Sequence, residues 1–121
     1  MNAKAVVDAY LQALQERDYE RARTHLADSG FHYRSPIGTL DSADALVNQS
    51  FMSSSIVHSF RVRKVFVDGP DVCHFLVFNV QLSEKFTVDL VHWSTVEAGR
   101  ITRIEVIFDA HPYRLMFPLA E

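Results

Sequence analysis

Asp89 stands in the middle of an alternating stretch, between Val88 and Leu90, where neither a turn nor a helix end explains a carboxylate. Such a group needs a partner or a proton. Facing an apolar cavity, it would be a general acid or base with a raised pKa. Beside Arg61, Arg63 or Arg103 on a neighbouring strand, it would be half of an ion pair. The six histidines contain no pair at helical i, i+4 spacing and no H-x-H strand spacing, so no metal site is expected. His58, His74 and His92 fall within strands, where they would shuttle protons if they line a cavity and otherwise serve as hydrogen-bonded core or interface groups. Cys73 is the only cysteine, which excludes an internal disulfide, and its apolar neighbours Val72, Phe75 and Leu76 make it an inert thiol. No G-x-S-x-G elbow, phosphate-cradling glycine loop or dinucleotide fingerprint is present, so no cofactor is expected.

These groups sit in a chain of 121 residues, 48% hydrophobic and 22% charged, which is the size and composition of one globular domain spanning 1–121. The net charge is −3 with no run of either sign, so neither nucleic acid nor an acidic membrane surface is an expected partner. The longest apolar run, Phe75 to Phe78, falls far short of the roughly twenty residues a spanning helix needs. Asp8 and Gln12 interrupt the N-terminal apolar pattern before a signal-type core forms, and the expected compartment is the cytoplasm.

Val7, Tyr10, Leu11 and Leu14 fall at i, i+3, i+4 and i+7, an amphipathic helix with Asn2 as N-cap. Asp18 caps a second helix carrying Tyr19, Ala22 and Leu26, stopped at Asp28-Ser29-Gly30. A short strand over 31–35 and the breaker Pro36-Ile37-Gly38 lead to a third helix, with Asp41 before it, Ala43, Leu46, Val47 and Phe51 on one face, and Ser53-Ser54-Ser55 at its end. From Ile56 the period changes to two. Turn signals at Asp68-Gly69-Pro70-Asp71, Ser83-Glu84-Lys85 and Glu97-Ala98-Gly99-Arg100 leave long strands near 72–82, 86–96 and 101–110. The expected fold class is α+β, with three N-terminal helices packed on one face of a curved antiparallel sheet.

Strand 86–96 is apolar on both faces: Phe86, Val88, Leu90, His92 and Val96 alternate with Val91 and Trp93, which share their face with Asp89. A sheet covered on one side should show a solvated second face, so a partner subunit is expected against the outer one, around Val88, Leu90 and His92, in a homodimer. The opposite parity then places Asp89, Val91 and Trp93 toward the helices. Tyr33 and Ser35 share a face of the first strand. With Tyr10 these residues form the candidate pocket. For the two tyrosines the alternative is a core aromatic whose hydroxyl is satisfied by a backbone carbonyl or water, and for Trp93 it is plain wall packing.

Three helices followed by long hairpin-connected strands, with AVVDAYLQALQERDYERARTHLAD, FHYRSPIGTLDSADALV and RITRIEVIFD in this order, resemble the nuclear transport factor 2-like superfamily, nearest its SnoaL-like and ketosteroid isomerase-like groups. The resemblance implies a cone-shaped half-barrel opening on an apolar pocket, in a homodimer. That superfamily holds isomerases, cyclases, dehydratases, epoxide hydrolases and plain binding modules. Tyr10 in VVDAYLQAL resembles the tyrosine that donates to the enolate in ketosteroid isomerases. Their general base falls on Ser35 of YRSPIG, which cannot take a proton near neutral pH, and their second, acidic donor falls on Val91. The Asp-Arg-Asp set of the epoxide hydrolases finds only Asn79 to Gln81 and Val106. Neither reaction is therefore expected. Asp109 in EVIFDAHPYRLMF resembles the strand-end aspartate of SnoaL-like cyclases, which implies a proton acceptor. Ile104, Val106 and Phe108 form the apolar face of that strand, however, so alternation aims Asp109 away from the pocket unless a bulge intervenes, and a strand-end acceptor is the competing role.

The expected ligand-binding residues are therefore Tyr10, Tyr33, Ser35, Val91, Trp93, Ile104, Val106 and Phe108, with Asp89 and Asp109 as candidate catalytic groups. The expected function is binding of a small hydrophobic molecule in an apolar cone. The alternative is a cofactor-independent proton-transfer enzyme of polyketide cyclase, isomerase or dehydratase type, using a pocket Asp or His. A dimerisation module with a filled cone is a third class.

Overall fold

A computed structural model describes residues 2–81 and 84–116. Helix α1 spans Ala3–Gln15, and the Asn2 side chain caps it by accepting from the Ala5 N–H at 2.8 Å. Asp18 caps α2, Tyr19–Thr24, and Ser42 rather than Asp41 caps α3, Ala43–Ser53, whose first turn carries Asp44. The strands are β1, His32–Ser35; β2, Gly38–Leu40; β3, Val57–Asp68; β4, Asp71–Gln81; β5, Lys85–Glu97; and β6, Arg100–Phe108. A short helix α4, His111–Met116, follows. The expected turn at Ser83-Glu84-Lys85 lies partly outside the described residues, as does the end of the C-terminal tail.

All six strands form one sheet in the order β2-β1-β6-β5-β4-β3. Strands β3 to β6 are the antiparallel hairpin series the turn signals predict. The sheet is nevertheless mixed, because β1 runs parallel to β6, pairing Tyr33 with Ile104. The helix α3 carries the chain from β2 at one edge to β3 at the other, so the helices stay on one face and the sheet stays open. Register shifts at Val57/Ser59 and Val62/Lys64 in β3, and at Thr95/Val96 in β5, bend the strands into a cone-shaped half-barrel. The hairpin between β5 and β6 turns on Ala98 at φ 52° and Gly99 at φ 77°, two consecutive left-handed residues that match the twist of the strands.

The helix α1 lies across the inner face, burying Val6, Val7, Tyr10 and Leu11 against Val72, Leu76, Leu90, Ile101 and Ile104. Its C-terminal end is tied to the edge strand β3 by side chains. The Gln15 carboxamide donates to the Phe60 carbonyl and accepts from the Phe60 N–H at 3.2 Å. Arg17 donates to the carbonyls of Ser54, Val57 and His58. Deeper in, Asp8 Oδ1 is 2.8 Å from Nε2 of the fully buried His74 and is also paired with Lys4. Partial burial works to raise the Asp8 carboxyl, but the hydrogen bonds and charges of Lys4 and His74 outweigh it and hold it below the usual range.

Candidate functional site

Between the inner face of the sheet, α1 and α3 lies a cavity of about 250 Å³. Its buried end is built by Tyr10 from α1, Leu46 from α3, Leu90 and His92 from β5, and Ile104 and Val106 from β6. Aromatic rings line the wall: Phe60 and Phe78 face each other across β3 and β4, stacked at 5.2 Å, and Phe86 and Phe108 continue the surface. Tyr33, Ile37, His58, Asp109 and Pro112 frame the open end. Hydrophobic residues thus make most of the lining, and the ionic groups Arg17 and Asp109 are exposed residues at its periphery.

Tyr10, Tyr33, Ile104, Val106 and Phe108 line the cavity as the sequence predicts. Burial pushes the Tyr10 phenol up, with the Tyr33 ring adding to the shift, and burial also raises Tyr33, offset in part by the Ser35 hydroxyl. Both phenols therefore stay protonated donors at neutral pH. Among the described residues the Tyr10 hydroxyl makes no hydrogen bond, although the side chain is 2% exposed. Asp109 also reaches the cavity rim. Strand β6 ends at Phe108, so strand alternation no longer governs Asp109, and its Oδ1 accepts from the His111 N–H at 3.0 Å to start α4. That hydrogen bond is the strand-end acceptor role expected for it.

Strand β5 reverses the expected parity. Its even residues Leu90, His92, Ser94 and Val96 are buried against the helices, and its odd residues face outward. Asp89 accordingly has no place in the cavity: its side chain is 79% exposed and pairs with Arg63 at 3.6 Å. Val91 lies on the same outer face. Trp93 also lies there, donating Nε1 to Asp71 at 3.0 Å, with the Arg103 guanidinium 5.1 Å from its ring. The expected subunit patch of Val88, Leu90 and His92 is likewise displaced, since all three line the cavity. Hydropathy alone could not choose between two apolar faces. The signal that does choose is charge: Asp89 and Glu97 share the odd face, whereas the even face carries none between 86 and 96. Ser35 is also absent from the lining, because its hydroxyl accepts from the Ile37 N–H and donates to the Gly38 carbonyl in the β1–β2 turn.

The parity reversal makes His92 a cavity residue. It is 6% exposed, and its Nδ1 is 3.2 Å from the Ser94 hydroxyl. Burial, reinforced by the neighbouring His74, lowers its pKa to about 3, so the ring is neutral across the physiological range. Cys73, half-buried on the outer face, has its thiol pushed up by burial. Among the described residues no group of three His, Cys, Asp or Glu side chains is placed to hold a metal ion.

The SnoaL-like domain family matches residues 7–104. The chain belongs to that family. No curated protein matches it. Among solved structures, it is similar to an NTF2-like protein of unknown function from Cytophaga hutchinsonii, at 23% identity over 93% of this chain and 95% of that one, with a TM-score of 0.83. It is also similar to an LEH-like epoxide hydrolase from M. tuberculosis, at 19% identity over 97% and 96%, with a TM-score of 0.76. TerC, co-crystallised with polyporic acid, is 20% identical over 94% and 96%, with a TM-score of 0.77. At these identities the likenesses establish the fold, and the SnoaL-like domain shares it with enzymes and with proteins of no assigned activity.

Proposed function

We propose that this SnoaL-like domain binds a small hydrophobic molecule in its cone. The observation that carries the reading is the aromatic and aliphatic lining of a cavity whose one deeply buried titratable base among the described residues, His92, is neutral. A ligand there gains from burying apolar surface and meets no buried charge. Amide NMR titration with an apolar bicyclic probe tests it: shifts should concentrate at Leu90, His92 and Ile104 and spare Asp89 and Glu105. Shifts spread evenly over the surface would refute a cavity site.

One observation favours the proton-transfer reading as the alternative, namely the Asp109 carboxylate at the cavity rim with the Tyr10 phenol at its buried end. Asp109→Asn separates the two readings. A binding domain keeps its ligand affinity and has no turnover to lose, whereas a proton-transfer enzyme loses turnover.

We also propose a homodimer through the outer sheet face, with different residues from those the alternation selected. Trp93, Ile107 and Phe66 are exposed there at 37%, 58% and 55%. Around them the face presents both charge signs, Arg63 with Asp89 and Arg103 with Glu105, so that it can complement a second copy across a two-fold axis.

A further inference from the structure

The last two turns of α3 point polar side chains at the cavity and apolar ones at water. Leu46, Gln49, Ser50 and Ser53 stand at i, i+3, i+4 and i+7, on one face of the helix, and all four line the cavity. Only Leu46, at the buried end, is apolar. The side turned to water carries Phe51 and Met52, exposed at 63% and 74%, with Phe51 meeting the Tyr19 ring edge-on at 5.6 Å. A helix facing a purely apolar occupant would be more stable with these two sets exchanged, since burial favours Phe and Met while water favours Gln and Ser. Hydrogen bonding narrows the observation to two residues. Ser50 donates to the Leu46 carbonyl at 3.0 Å and Ser54 to the Phe51 carbonyl at 2.6 Å, so both hydroxyl protons are satisfied within the helix. Gln49 and the Ser53 hydroxyl, both half-buried, have no partner among the described residues. Four positions apart, they are neighbours on the helix surface, with about 5–6 Å between Cβ atoms. The sheet wall that faces α3 across the space carries the stacked Phe60 and Phe78 rings. The cavity thus has one aromatic wall and one that offers donors and acceptors in a row.

We propose that Gln49 and Ser53 form a recognition stripe for ring compounds that carry two hydroxyl groups along one edge, the ring lying on the phenylalanine wall and the hydroxyls facing α3. This rests on the reading of the cavity as a binding site and adds two specificity-determining residues and the class of ligand they select. A hydroxyl, like the water it displaces, both donates and accepts, so it satisfies either the Gln49 carboxamide or the Ser53 hydroxyl. A methyl group of the same size displaces that water and leaves them unpaired.

The test uses the full chain and a pair of probes of one shape, naphthalene-1,3-diol and 1,3-dimethylnaphthalene, titrated by their own fluorescence. Gln49→Leu and Ser53→Ala should each weaken the diol about fivefold, while the dimethyl probe binds either variant as tightly as the wild type, within about twofold, or more tightly. In ¹H–¹⁵N spectra of the wild type the Gln49 side-chain amide should shift with the diol and stay in place with the dimethyl probe. Both variants should melt at or above the wild-type temperature, because each puts an apolar residue on an inward helix face, and Ala favours a helix more than Ser does. A loss of diol binding then cannot be laid to unfolding. Equal losses for the two probes, unchanged diol affinity in both variants, or a Gln49 amide that ignores the diol would overturn the stripe while leaving the cavity reading intact. Lower melting temperatures in both variants would make the two polar groups structural and overturn it as well. If neither probe binds the wild type, the cavity reading fails and the stripe fails with it.

Discussion

Both faces of β5 carry apolar side chains, Phe86, Val88, Leu90 and Val96 on the inner one and Val91 and Trp93 on the outer, and they differ in how their polar members are satisfied. On the inner face His92 and Ser94 are neutral and hydrogen-bond each other in a closed space. On the outer face Asp89 pairs with Arg63 two strands away on β3, and Trp93 meets Asp71 and Arg103 on the adjacent β4 and β6, while both remain in contact with water. A buried neutral pair costs little because each group supplies the hydrogen bond that the other gives up with water, whereas an ion pair is cheap only where water still screens it. The kind of polar residue on a two-faced strand, more than its hydrophobicity, therefore tells which side is closed.

Placing a charge on each face gives the sharpest contrast. Leu90→Asp on the inner face should cost roughly 4 kcal/mol or more and leave little folded protein in urea titrations, because a carboxylate would be enclosed without a partner. A folded Leu90→Asp variant would break the assignment of faces. Ile107→Asp on the outer face should change the stability of the single chain by no more than about 1 kcal/mol, yet halve the mass seen by light scattering. An unchanged mass would remove this face from the proposed dimer contact.

Acid titration comes next in size. His92 has a native pKa of about 3 against a reference of about 6.5, so the unfolded chain binds its proton more readily than the native one. The associated stability is fully present above the unfolded value and is lost as pH falls toward the native one, at up to about 1.4 kcal/mol per pH unit. Asp8, whose native pKa is also lowered, adds a loss of the same sign below the usual carboxylate range. Comparing wild type with His92→Gln in denaturant melts between pH 8 and 4 isolates the histidine contribution, and equal slopes in the two proteins would mean that His92 is not enclosed. The smallest effect belongs to the outer ion pair: Asp89→Ala should shift stability by less than about 1 kcal/mol and leave ligand affinity unchanged. A larger change, in either quantity, would couple the outer face to the cavity.

The same contrast explains what could be read from the chain. Helices α1 to α3 and strands β3 to β6 announce themselves by period and caps, and Tyr10, Ile104, Val106 and Phe108 were placed correctly because each lies on an element with one clear apolar side. The pairing of β1 with β6 leaves no local trace, since it joins residues about seventy positions apart, and β2 is three residues long. Asp89, Val91 and Trp93 fall on the outer face rather than in the cavity, which hydropathy alone does not reveal because it does not choose between two apolar sides, and Ser35 lies outside the lining, which is equally hidden because a turn hydroxyl and a cavity hydroxyl look alike in a string of letters. The partnership of His92 with Ser94 became legible only once the parity of β5 was known.

The side chains that close the end of α1 onto β3 also bear on how the molecule behaves in a crowd. Strand β3 is an outer strand of the sheet, and a bare outer strand invites another chain to zip onto it as the seed of a fibre. Gln15 supplies Phe60 with the donor and acceptor that an incoming strand would offer, and Arg17 occupies the carbonyls just before it. Farther along, Arg61, Arg63 and Lys64 would bring like charges together if two such edges met. Open-ended stacking along the strand edge is thereby disfavoured, whereas the contact proposed above, through the flat of the sheet, would close after two copies.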